Sequence, residues 1–130
     1  MRVVFDTNIF ISAFAIPGSL AEKVIVKIIE GGDILVLSKE IIHEVLSVLS
    51  LKFSRDKEGL SHVAVILSEL GELVKPIHKI SIFKDDPDNR ILECAIHGKA
   101  DVLVTGDKEM LRLREYSNIK IISLKEYLGP

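Results

Sequence analysis

Apolar residues along this chain come in short consecutive runs separated by longer stretches of helical period. Val3-Val4-Phe5, Ile34-Leu35-Val36-Leu37 and Val102-Leu103-Val104 are apolar at every position. Runs of this kind fit strands covered on both faces, as in a parallel sheet. A further strand is predicted over Ile119 to Ile122. Between the strands the spacing becomes that of helices. Ile9 to Ala15 is short and apolar, with Thr7 or Asn8 available to cap it, and Pro17-Gly18 ends it. Ser19 with Glu22, at the capping-box spacing, opens a second helix that Gly31-Gly32 stops. Ser38 opens a third, with Ile41, Ile42, Val45, Leu46 and Leu49 on its core face and Glu44 one position off that stripe.

The polar stretch Lys52 to Lys57 leads into a fourth helix predicted over Glu58 to Leu73, with Val63, Ile66, Leu67 and Leu70 on one face. Val74 to Ile82 contains Pro76 and is expected to hold a short edge strand. Asp85 to Asn89 reads as a turn before a helix over Arg90 to His97, with Gly98 its stop. Lys108 to Arg114 reads as helical, and Ser123 caps a terminal turn through Leu128. Strands alternating with helices predict a mainly parallel sheet with right-handed crossovers, the Val3–Phe5 strand central and helices on both faces. With no repeat and no linker, residues 1–130 form one domain.

Composition adds exclusions. At 130 residues, 48% hydrophobic and 28% charged, the chain has the make-up of an ordinary globular domain. No apolar run approaches the roughly 18 residues that cross a bilayer. Asp6 and Asn8 interrupt the apolar stretch nearest the amino terminus, so no secretory signal is expected. A single cysteine, Cys94, permits no internal disulfide and fits a reducing, cytoplasmic setting. The formal net charge of −2 supplies no overall attraction to nucleic acid. A nucleic-acid substrate would need local positive charge from side chains or from metal.

The acids supply the chemistry. Asp6 and Asp107 each follow a strand at its carboxyl end, where open α/β sheets place ligand sites. Asp88 opens the helix beside them, and Glu44 sits on a helix able to lean over the same edge. Carboxylates converging in one cleft raise one another's pKa unless a cation holds them. Oxygen-only ligands suit Mg²⁺ or Mn²⁺, where zinc recruits His or Cys. A cation so held is equipment for phosphodiester hydrolysis.

Val3-Val4-Phe5-Asp6-Thr7-Asn8, a lone helical Glu44, Asp85-x-x-Asp88-Asn89 leading into Leu92-Glu93-Cys94-Ala95, and Val104-Thr105-Gly106-Asp107 together resemble a PIN domain. They are most similar to the VapC-like branch of toxin ribonucleases from toxin–antitoxin pairs. The resemblance covers nearly the whole chain. It implies a three-layer α/β/α PIN-like fold, Mg²⁺- or Mn²⁺-dependent cleavage of single-stranded RNA, a protein antitoxin as partner and a homodimer. It implies that Asp6, Glu44, Asp88 and Asp107 form the acidic metal site, with Asn8 and Thr105 as polar support. Asp85 reads instead as fixing the turn before Asp88.

The four histidines, His43, His62, His78 and His97, show no ligand spacing and read as structural or surface residues. Cys94 reads as a buried core residue. Lys108 and Arg112 share a helix face beside Asp107, and Lys52, Arg55 and Lys57 form a second basic group. Either group would suit RNA phosphates or simply a solvated surface. Two rival hydrolase and signalling architectures lack required acids: Asn8 stands where a haloacid-dehalogenase-like site needs a second Asp, and the first strand end lacks a receiver domain's acidic pair. A PIN-like domain that binds RNA or a partner without cleaving stays open.

Overall fold

The computed structural model describes residues 1–130. In chain order the elements are β1 (Arg2–Phe5), α1 (Thr7–Ala15), α2 (Leu20–Glu30), β2 (Ile34–Ser38), α3 (Lys39–Lys52), α4 (Lys57–Leu70) and β3 (Glu72–Val74), followed by α5 (Asp86–His97), β4 (Val102–Val104), α6 (Lys108–Leu113), β5 (Glu115–Tyr116), β6 (Ile119–Ile122) and α7 (Leu124–Leu128). The six strands form one sheet in the order β3-β2-β1-β4-β6-β5. Every pairing is parallel except β5 with β6. The mixed α/β architecture, with a mostly parallel sheet and β1 in its interior, is the one the apolar runs predict.

Register sets the two faces. Val3 pairs with Leu35 and Val102, and Val4 with Leu103, so alternate residues of neighbouring strands share a face. On one face Phe5 meets Phe10 of α1 and Tyr127 of α7, at ring-centroid distances of 5.8 and 5.6 Å. On the other, the end of α5 approaches β2 at Val36. Arg2 ties three elements together at the surface: its guanidinium pairs with Glu72 of β3 and donates to the Gly98 carbonyl at 2.7 Å. No single helix is long and apolar enough to cross a membrane.

Gly98 matters because of closeness. A Cβ there would lie 2.4 Å from Val36 Cγ1 and 3.0 Å from the Cys94 carbonyl oxygen. Gly98→Ala must push α5 off β2, and we expect it to cost about 1–3 kcal/mol of stability. A urea unfolding midpoint unchanged from the parent's would contradict this.

Several boundaries depart from the sequence reading. Helix α1 begins at Thr7 and is capped by Asp6, not by Thr7 or Asn8, because the Asp6 carboxylate accepts the Asn8 N–H at 3.2 Å. Helix α4 stops at Leu70, and the expected edge strand starts earlier than read, at Glu72–Val74, taking Glu72 and Leu73 from the predicted helix. The sheet edge overrides helical spacing there, since β3 pairs with Val36–Ser38. The edge strand therefore ends before Pro76, which lies beyond it. Helix α5 begins at Asp86, placing Asp88 inside its first turn, not at its cap. Lys52 is the last residue of α3. The hairpin of β5 and β6 was not expected. Its two-residue turn, Ser117-Asn118, has φ of 48° and 67°, without the Asn-Gly signature such turns usually show.

Candidate functional site

Two strand-to-helix turns lie side by side at the carboxyl edge of the sheet. Asp6 ends β1 and caps α1; Asp107, three residues after β4, caps α6 by accepting the N–H groups of Glu109 at 2.8 Å and Met110 at 3.0 Å. Each acid has one oxygen engaged by a helix N-terminus, where negative charge is favoured. Thr105, fully buried, joins the two turns. Its hydroxyl donates to Asp6 Oδ2 at 2.6 Å and accepts the Asp107 N–H at 3.0 Å. Asn8 contributes its backbone N–H to Asp6, while its side chain is exposed.

A cleft of about 270 Å³ opens in front of Asp6. Glu44 and Val48 of α3 line it from one side, and Asp85 and Asp88 at the start of α5 line it from another. The structure thus brings Asp6, Glu44 and Asp88 to one cavity. Asp107 stands outside its lining but near enough for its charge to act on both Asp6 and Asp88. Lys108 and Arg112 are exposed on α6 and do not line the cleft. All four histidines are exposed and none lines it.

Positioning of α5 rests on Asn89. Its buried amide accepts the N–H groups of Ile82 and Phe83, at 3.1 and 2.8 Å, and donates to the Phe83 carbonyl at 2.9 Å. One turn on, Glu93 accepts the Ile80 N–H at 2.7 Å and pairs with Arg90 at 2.8 Å. These bonds clamp residues 80–83 against α5 and thereby hold Asp85 and Asp88 at the cleft. Cys94, behind them, is buried, and burial pushes its thiol up to about 12, which removes it as a nucleophile at neutral pH.

Electrostatics follow from this crowding. Burial raises the Asp6 carboxyl above its ordinary value, opposed by the hydrogen bonds from Thr105 and Asn8 and reinforced by the charges of Asp107 and Asp85. Asp88 is pushed from 3.8 to about 7, first by burial and then by the charges of Asp6, Asp85, Asp107 and Glu109. The residue is 9% exposed, and its carboxylate, which opens on the cleft, receives no hydrogen bond from the protein. No three His, Cys, Asp or Glu side chains stand close enough together to hold an ion as placed. The carboxylates are spread around the cleft. The donor set is nevertheless that of a hard cation: oxygen only, with the carboxylates of Asp88 and Glu44 unengaged.

The sequence reading left Asp85 out of the acidic set and placed Lys52 only within a basic group suited to RNA phosphates, not at the acidic cleft. Asp85 occupies the cap position of α5 without making a side-chain cap bond, and faces the cleft instead. The signal for Lys52 was its spacing of eight from Glu44, legible only once both are known to lie on one helix.

Comparison with known proteins matches the family model for the PIN domain to residues 2–109. An uncharacterized protein of Methanocaldococcus jannaschii is 29% identical over 132 residues, covering 96% of this chain and 84% of that protein. Two solved structures share the fold over 95% of this chain and 98% of theirs. They are VapBC2 from Rickettsia felis bound to a DNA fragment from its promoter (TM-score 0.68, 19% identity) and VapBC-1 from nontypeable Haemophilus influenzae (0.67, 20%).

Proposed function

This chain belongs to the PIN domain family, and from that premise we propose that it is a metal-dependent endoribonuclease, the toxin of a toxin–antitoxin pair acting on single-stranded RNA in the cytoplasm. The observation that carries the reading is Asp88: a largely buried residue whose carboxylate accepts no hydrogen bond from the protein and opens on a cleft that also holds Asp6 and Glu44. Partial desolvation and four neighbouring acids disfavour its charged form, and a Mg²⁺ or Mn²⁺ ion would offset that cost. When bound, such an ion polarises a phosphoryl oxygen and lowers the pKa of a coordinated water.

The protein's own part is positioning. Thr105 and the Asn8 N–H hold Asp6 in one orientation, and the first N–H groups of α6 hold Asp107. Glu44 and Asp88 supply the free oxygens, and neither a histidine base nor a side-chain nucleophile is needed. Lys108 and Arg112 are proposed to meet RNA phosphates from α6. The partner proteins are an antitoxin and a second copy of this chain. Leu20, Val26 and Ile29 on α2 and Val65 on α4 are exposed and available to such contacts, whereas Val24, Ile28, Val63 and Leu67 are taken by the core.

The deciding experiment is cleavage of a single-stranded RNA by the purified protein with Mn²⁺ or Mg²⁺, against the same mixture with EDTA. We expect cleavage only with metal. RNA binding that metal strengthens but that never leads to cleavage would instead identify a non-cleaving RNA-binding domain.

A further inference from the structure

The cleft does not end at the acids. Glu44, Val48 and Lys52 recur every fourth residue of α3, share one face of that helix, and all three line the cavity that holds Asp6 and Asp88. Eight residues of helix span about 12 Å, so Lys52 stands well along the cleft from Glu44. Among the residues lining the cleft, four are acids and Lys52 is the sole cation. Its side chain is exposed and makes no ion pair or hydrogen bond within the protein. The neighbouring Arg55 is already committed, donating to the Phe14 carbonyl at 2.6 Å, which binds the α3–α4 link to the end of α1. Lys52 therefore sits in the last turn of α3, makes no ion pair or hydrogen bond with the protein, and lines the same cleft as the acids.

We propose that Lys52 is a substrate-positioning residue that grips an RNA phosphate other than the one being cleaved, so that the strand runs along α3 between Glu44 and Lys52. The proposal rests on the nuclease reading for its substrate. The distance argues for a second phosphate: about 12 Å of helix between Glu44 and Lys52 is longer than one nucleotide step of a single strand. Two turns of α3 beyond Glu44, Lys52 is placed to meet a part of the strand removed from the reacting centre. It adds binding energy from a remote part of the substrate, which positions the strand without taking part in the bond changes. Val48, half-buried between the two charged residues, offers the strand an apolar contact at the middle of this path.

The test compares the parent with Lys52→Ala and Lys52→Arg on a dinucleotide and on a longer single-stranded oligoribonucleotide, in Mn²⁺ over a range of salt. For the longer substrate, Lys52→Ala should raise KM about tenfold with kcat little changed, and flatten the salt dependence of kcat/KM by about one unit of slope. Lys52→Arg should restore most of the affinity, since it keeps the charge. The dinucleotide, too short to reach Lys52, should be cleaved equally by all three proteins. A loss of equal size on both substrates, or a fall in kcat alone, would overturn the proposal and make Lys52 part of the acidic centre's electrostatics. Equilibrium binding of the longer oligonucleotide in EDTA reads the same contact without cleavage. If the parent binds but does not cleave, weaker binding by Lys52→Ala still supports the RNA path while the nuclease reading fails. If cleavage is intact and neither KM nor binding responds, the nuclease reading stands and this inference falls.

Discussion

Asp6→Asn is expected to lower RNA cleavage by about a hundredfold or more while leaving the fold in place. The reasoning starts from what the side chain does. Oδ1 receives the Asn8 N–H and Oδ2 receives the Thr105 hydroxyl. An asparagine keeps the oxygen that caps α1. Its amide can donate to the Thr105 oxygen, whose proton is then free to turn away. The shape and the cap survive; the negative charge does not. Loss of residues that merely orient metal ligands costs roughly 10–100-fold, so loss of a ligand's charge should cost at least the upper part of that range. The measurement is single-turnover cleavage at saturating Mn²⁺, beside a circular dichroism melt. A variant that melts like the parent and cleaves as fast would leave the family assignment standing but remove the acidic-site mechanism.

Asp88→Asn should make the metal-free protein more stable than the parent above neutral pH, with the gain shrinking as pH falls. Asp88 titrates near 3.8 when unfolded and near 7 when folded. Between those values the folded state binds the additional proton, so the parent's stability falls as pH rises from about 4 to about 7 and is level beyond. Burial and four neighbouring acids oppose the charged form. An asparagine is neutral at every pH and escapes that penalty. Urea midpoints in EDTA at about pH 8 and about pH 5 should therefore differ more between variant and parent at the higher pH. Mn²⁺ should reverse the order at pH 8, because only the parent keeps the full set of acids and so gains stability by binding the ion. Equal midpoints in EDTA at both pH values would show that the Asp88 charge is not penalised in the folded protein.

The two variants probe different parts of one arrangement. Asp6 has its charge organised by the backbone and by Thr105, whereas Asp88 has it opposed by everything around it except a cation. A nuclease reading needs both kinds: oriented oxygens that set geometry, and an unsatisfied one that makes ion binding favourable.

What the sequence by itself determined is whatever depends on neighbours within a few residues. The uninterrupted apolar runs at Val3–Phe5, Ile34–Leu37 and Val102–Val104 require cover on both faces, so a mostly parallel sheet with β1 inside it follows from them. Ser19, Ser38 and Ser123 cap helices where a short polar side chain meets a free N–H three residues on. Asp6 and Asp107 fall at strand ends for the same local reason. Tertiary structure decided the rest, because it depends on groups far apart in the chain. Glu72 and Leu73 leave the predicted helix because the edge of β2 offers them backbone hydrogen bonds in the sheet. Asp85 faces the cleft because Asn89 and Glu93 clamp residues 80–83 against α5. Glu44 and Lys52 meet Asp6 and Asp88 only because α3 lies along the sheet edge with that face toward them. Helical spacing shows that two residues share a face; packing decides what the face looks at.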